Sequence, residues 1–194
     1  MSRGSDAYAK RIRGAVQGLW SGALTRGDFV QVMSVIIMDG LEFAFAEGAK
    51  ECGIEAEDFT DDETRAINKI VDSESDQIDD FADYIIENNK KSGSKLQVLL
   101  DTRVPMWQLR YMDIVNQGKV MACADKKFKW VLGDTEHCST CAKLAGLVHR
   151  GSQWRDYVLP QNPPNDLLEC GGWRCGCSLE MTDERASTRY PSLP

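Results

Sequence analysis

The stretch His137-Cys138-Ser139-Thr140-Cys141, answered about thirty residues later by Cys170-Gly171-Gly172-Trp173-Arg174-Cys175-Gly176-Cys177, decides how the rest of the chain is read. Two thiols separated by two residues can grip one side of a tetrahedral metal from a single turn, and the later group can supply the other side. In Cys175-Gly176-Cys177 an extended backbone sends both thiols to the same face, and Gly171-Gly172 permits the tight backbone that ligand loops use. The candidate metal ligands are therefore Cys138, Cys141, Cys170, Cys175 and Cys177, four of them sufficing for a structural Zn2+, with His137 and His149 as spare candidates. Reduced packing thiols and disulfide or redox chemistry are the competing uses of the same cluster. Cys52 and Cys123 stand apart and read as bystanders.

Size supplies the physical case for a staple. Residues 127–182 are short, hold few aliphatics, and mix Trp130, Trp154 and Trp173 with paired glycines, Pro160, Pro163 and Pro164. Apolar burial alone rarely holds so small a segment together, whereas zinc binding contributes folding free energy on the order of 10 kcal/mol. The tryptophans read first as core of that module.

Outward from the cluster, the chain of 194 residues has ordinary globular composition, with 42% hydrophobic and 27% charged residues. Arg3, Lys10, Arg11 and Arg13 are followed by no apolar core, so no signal peptide is expected. The run Val35-Ile36-Ile37-Met38 is broken by Asp39, and no stretch reaches the roughly 20 apolar residues of a membrane span. A reducing interior is then the default surroundings, where a tight cysteine cluster more often binds metal than forms disulfides. The net charge of −7 disfavours wholesale wrapping of nucleic acid. Charge is segregated, however: residues 51–89 hold 14 acids and 2 bases, residues 90–155 hold 12 bases and 5 acids. These are either solvated helix faces that neutralise each other, or surfaces for an acidic or basic partner.

Periodicity makes the first 126 residues a helical body. Tyr8, Ile12, Val16 and Leu19 follow helical spacing from a cap at Ser5 or Asp6 to near Gly22. A second, central helix is expected from Asp28 to Cys52 and Gly53, with Phe29, Val32, Met33, Ile36, Ile37, Leu41, Phe43 and Phe45 covering most of its circumference. Thr60-Asp61-Asp62-Glu63 is a capping box, opening a helix through Ile67, Val71, Ile78, Phe81 and Ile85 to Asn88 and Asn89. Lys90 to Ser94 reads as a turn, and a fourth helical stretch follows from Lys95 to about Ala124, kinked or restarted at Pro105. The predicted fold class is mainly α: a helical body (1–126), a small α+β Cys-rich module (127–182), and a mobile tail (183–194).

At the cluster the sequence resembles the C-terminal module of the phage Mu F-like minor head proteins, also called phage head-morphogenesis proteins. The residues that carry the resemblance are Lys129-Trp130, then Asp134 through Cys138 and Cys141 to Leu144 and Gly146, then Val148-His149, Trp154 and Pro160, and last Leu168 through Cys170, Trp173, Cys175 and Cys177 to Leu179. It covers roughly residues 95 to 182. Many members carry a His shortly before the closing Cys-Arg-Cys, so the resemblance makes Cys170 its replacement as a ligand. It implies a virion structural protein rather than an enzyme. Such a protein is assembled in the bacterial host cytoplasm and built into the procapsid inside the head near the portal, in places accompanying the DNA on ejection. The partners implied are portal, capsid or scaffold proteins, packaged DNA and further copies of the chain, and no membrane. On that reading Asp76, Asp79, Asp80 and Asp83 would face a portal or scaffold protein, and Lys126, Lys127 and Lys129 would face DNA. Two other classes compete. A zinc-containing nucleic-acid-binding regulator would stack bases on exposed Trp130 and Trp154 beside Arg150 and Arg155. A thiol oxidoreductase would use Cys138 and Cys141. The sequence offers no phosphate-cradling loop, metal-hydrolase histidine pair or nucleophile elbow.

Overall fold

The computed structural model describes residues 3–91, 93, 95–134, 136–162, 164–172 and 175–193. Trp173 and Pro163 of the expected module, and Ser92 and Ser94 of the expected turn, lie outside the described residues. Mainly helical elements lead into a small Cys-rich α+β region. In order they are α1 (Arg3–Ser21), α2 (Arg26–Ala49), single 3-10 turns at Lys50–Cys52 and Ala56–Asp58, α3 (Asp61–Ser75), α4 (Ile78–Lys90), α5 (Leu96–Ala122), β1 (Lys127–Val131), α6 (Ser139–Leu144), β2 (Val148–Arg150), α7 (Gly151–Tyr157) and β3 (Ser178–Met181).

Two compact units result. One is built from Met1–Phe43 and Thr64–Tyr111, the other from Ala44–Glu63 and Met112–Pro194. In the first, α1 buries Tyr8, Ile12, Val16 and Leu19 on one face, as their spacing requires. Phe29 of α2 meets Phe81 of α4 edge-on at 6.0 Å, and Tyr8 meets Tyr111 of α5 at 5.5 Å. The apolar circumference expected of α2 is only partly buried: Phe29, Met33, Ile37 and Leu41 are fully enclosed, but Val32, Val35, Met38 and Phe43 are exposed. By length and composition alone the helical stretch Arg26–Cys52 could cross a membrane, although 44% of its most apolar window is buried within the protein.

Two expectations about helices change. The long helix behind the capping box is two helices, α3 and α4, because Asp72-Ser73-Glu74-Ser75-Asp76-Gln77 offers no apolar residue to pack and several that favour caps and turns over helix. The capping box itself is closed reciprocally, Thr60 N donating to the Glu63 carboxylate at 2.8 Å and Glu63 N to Thr60 Oγ1 at 3.3 Å. Conversely α5 runs unbroken through Pro105. Asp101, whose carbonyl loses its helical donor there, is exposed, so solvent can replace the missing bond.

The second unit carries a three-stranded antiparallel sheet of order β2-β1-β3, with Phe128 opposite His149 and Trp130 opposite Leu179. Along β1, Phe128 and Trp130 are fully buried, while Lys127 and Lys129 alternate with them at partly exposed positions. The core of this unit gathers Phe128, Trp130, Leu144, Trp154, Leu168 and Leu179 together with Val120 and Cys123 from the end of α5. The body of the Cys-rich region therefore reaches back beyond residue 127. Cys52 and Cys123, read as bystanders, form a disulfide with Cα atoms 5.7 Å apart, tying the 3-10 turn after α2 to the end of α5. Residues 183–193, read as a mobile tail, are fastened to β2 and α7. Ser187 N donates to Val148 O at 2.8 Å, and the Tyr157 hydroxyl donates to Pro191 O at 2.9 Å.

Candidate metal centre

Three local structures bring the five free thiols together. Cys138 is the N-cap of α6, its sulfur accepting the amide of Cys141 at 3.4 Å, so one helical turn presents both thiols. Cys170 sits in a loop whose next two residues, Gly171 and Gly172, adopt φ of 61° and 79°. Side chains rarely take that left-handed region, which is the tight backbone the glycine pair promised. Cys175 and Cys177 lie just before β3, where the chain passes so close to Gly133 that a Cβ there would run into the carbonyl of Gly176.

The sulfurs fall into two triads, Cys138 with Cys141 and Cys170, and Cys141 with Cys175 and Cys177, each within 4.8 Å throughout. Cys141 belongs to both. Cys141 Sγ and Cys175 Sγ are 3.8 Å apart. That matches the edge, about 3.8 Å, of a tetrahedron of sulfurs standing 2.3 Å from a central zinc. The donor set is all sulfur, which suits a soft or borderline cation. The described cysteines thus include a cluster able to hold a metal ion.

Electrostatics agree with such a role. Hydrogen bonds from the Cys141 and Cys175 thiols hold Cys177 far below the ordinary thiol range, at about 3, against its burial. Its bond to Cys175, and after that its bond to Cys177, pushes the Cys141 thiol well up. Burial raises Cys170 to about 11. A metal bound here would displace the protons these thiols otherwise carry. Trp130 adds to this. Its Nε1 is buried without a hydrogen-bond partner, and it faces Cys177 closely enough to favour the thiolate.

Glu169 is a positioning residue that sequence reading missed. Its carboxylate accepts from Ser139 N at 2.8 Å and Ser139 Oγ at 2.7 Å, while its own amide donates to the buried Thr140 Oγ1 at 3.2 Å. These bonds lock the Cys138–Cys141 turn to the Cys170 loop, and the Ser139 donors hold the Glu169 carboxyl below its usual range. The available signal was an acid next to a ligand cysteine that could reach a helix N-terminus.

The spare histidines do not join the described cluster. His137 is exposed, and His149 is buried in an aromatic nest, stacked on Tyr190 at 3.9 Å and edge-on to Trp154 at 5.0 Å. Trp130 and Trp154 are fully buried with ring centres 5.5 Å apart, and Trp154 Nε1 donates to Phe128 O at 2.9 Å. Neither can stack on a base as it stands. Of the lysines expected to face DNA, Lys126 is exposed. Lys129 pairs with Glu184 at 2.7 Å and Lys127 donates to the Asp183 carbonyl at 2.7 Å. In the acidic set, Asp79 and Asp83 are both bound by Arg26.

Comparison with protein-family models, with curated proteins and with solved structures finds no match to this chain.

Proposed function

We propose that this is a structural protein of a phage head, of the head-morphogenesis type. Its Cys-rich region is stapled by one zinc ion on four of Cys138, Cys141, Cys170, Cys175 and Cys177. The observation that carries the metal half is the convergence of all five thiols, from the first turn of α6, the Cys170 loop and the segment before β3, on the shared sulfur of Cys141. The head-protein half rests on the sequence resemblance at these same residues. Mass spectrometry of purified procapsids and virions tests it: the chain is expected in the particles, and its absence from both overturns the assignment.

A second reading has one observation in its favour. Burial opposes ionisation of Cys138, yet hydrogen bonds from Cys141 and Cys170 hold its thiol below the ordinary range at the start of α6. An acidic thiol at a helix N-terminus, separated by two residues from a partner, is how thiol oxidoreductases present their nucleophile. Turnover in an insulin-reduction assay, lost in Cys138→Ser, would favour that reading. A chain whose cluster thiols react slowly and whose addition leaves insulin intact favours the staple.

A further inference from the structure

The five thiols are not equivalent. Cys141, Cys175 and Cys177 are buried, at 1%, 5% and 1% exposure, whereas Cys138 and Cys170 are half-buried. The sulfurs divide along the same line. Cys138 and Cys170 share a triad with each other and with Cys141, and Cys177 shares a triad with neither of them. Glu169 ties the two half-buried thiols into one edge of the cluster, since its carboxylate and amide join Ser139 and Thr140, beside Cys138, to the Cys170 loop.

A tetrahedral zinc takes four thiolates, so one of the five is spare. Access to water decides where the spare can stand. Left out of the ion's shell, one of the buried three would be an unligated thiol pressed against thiolates with no solvent to hydrate it, and burying a polar group without a partner is costly. At Cys138 or Cys170 the spare thiol meets solvent instead. The surroundings of Cys177 favour the same division. Trp130 is 0% exposed, and its Nε1 faces Cys177 without a hydrogen-bond partner. A metal-bound thiolate there would give that donor its acceptor, the kind of outer bond that orients a ligand. The loop joining Cys175 to Cys177 is also held against the chain, because a Cβ at Gly133 would run into the Gly176 carbonyl.

We propose that Cys141, Cys175 and Cys177 are the constant ligands of the ion, and that Cys138 and Cys170 are alternative occupants of its fourth position. The inference rests on the zinc half of the proposed function and supplies its ligand set. In the exchange one zinc–sulfur bond breaks as another forms, and one proton passes from the incoming thiol to the outgoing thiolate, so the spare stays protonated. The ion keeps four sulfurs in both arrangements. The half-buried edge is then the side on which the site opens without releasing its metal.

Full-length Cys138→Ser, Cys170→Ser, the double variant and Cys177→Ser are compared with wild type. Cobalt titration reads the number of sulfur ligands from the thiolate-to-cobalt absorption, and competition with a chromophoric chelator reads zinc affinity. Each of the first two variants is expected to keep the four-sulfur spectrum and an affinity within about tenfold of wild type. The double variant and Cys177→Ser are expected to lose one sulfur's absorption and more than about a hundredfold in affinity, beyond what changes outside the ligand shell cost. Wild type loaded with NMR-active cadmium gives a reading that depends on no variant folding. Cadmium should couple fully to the β protons of Cys141, Cys175 and Cys177, and at reduced strength to those of both Cys138 and Cys170. Coupling to only one of Cys138 and Cys170, or the loss of a sulfur in only one of their single variants, overturns the exchange. Full coupling to both, with none to Cys177, overturns the ligand set. A wild-type chain that binds neither cobalt nor zinc instead overturns the staple on which the inference rests.

Discussion

The helical unit of Met1–Phe43 and Thr64–Tyr111 and the cysteine-bearing unit solve the same problem with different means. The first is held by apolar helix faces, with Ile12, Val16, Phe29, Met33, Ile37 and Ile85 all buried. Among its described residues the second has two buried tryptophans, a short sheet, a disulfide and a knot of thiols where a larger protein would place more aliphatic core. The comparison teaches that the two should fail under different insults.

The largest effect is expected from the thiols. On the proposed zinc staple, treatment with a chelator, or Cys141→Ser at the sulfur common to both triads, should remove stabilisation on the order of 10 kcal/mol. Hydrogen exchange should then show β1, β2 and α7 opening while α1 and α4 stay protected. Cys177→Ser, which touches one triad, should do less harm than Cys141→Ser. Equal protection loss in both units would erase the contrast.

Next comes the disulfide. It closes a separation of 71 residues, and in the chain-entropy account a loop of that length stabilises by about 4 kcal/mol. Cys52→Ser should lower the denaturant midpoint of the cysteine-bearing unit accordingly without altering its metal content. In the helical unit, Ile37→Ala leaves a cavity at a fully enclosed position and should cost about 3 kcal/mol, again with metal content unchanged.

How much of this was legible follows from the kind of signal each residue carries. The faces of α1 and α4 and the Thr60–Glu63 capping box were readable because spacing and caps are local. The convergence of Cys138, Cys141, Cys170, Cys175 and Cys177 was readable because ligand spacing is also local within each loop. The Cys52–Cys123 bond was not, since nothing in a sequence says that a turn after α2 meets the end of α5. For the same reason the contribution of Val120, inside α5, and of Cys123, just past its end, to the core around Trp130 was hidden. The segment 183–193 read as a tail because several of its bonds run through its main chain, which leaves no mark on composition.

The smallest expected effect is a pH dependence confined to the cysteine-bearing unit. Burial lowers the pKa of His149 below its ordinary 6.5, so the folded form keeps a neutral ring that the unfolded chain protonates first. The unfolded state then binds more protons as pH falls through 6.5, and stability drops from there down to the folded pKa. Denaturation midpoints of wild type should fall across that window, and His149→Phe should flatten the part that does not come from the thiols. An unchanged slope in that variant would show that His149 does not set the acid sensitivity in that window.

Native mass spectrometry of the intact chain, purified without added metal, tests the central claim most directly when paired with alkylation of the folded protein. The account predicts about one zinc per chain, with the cluster thiols protected from alkylation until the metal is removed. A metal-free mass, with Cys138, Cys141, Cys170, Cys175 and Cys177 all freely alkylated in the folded state, would contradict it.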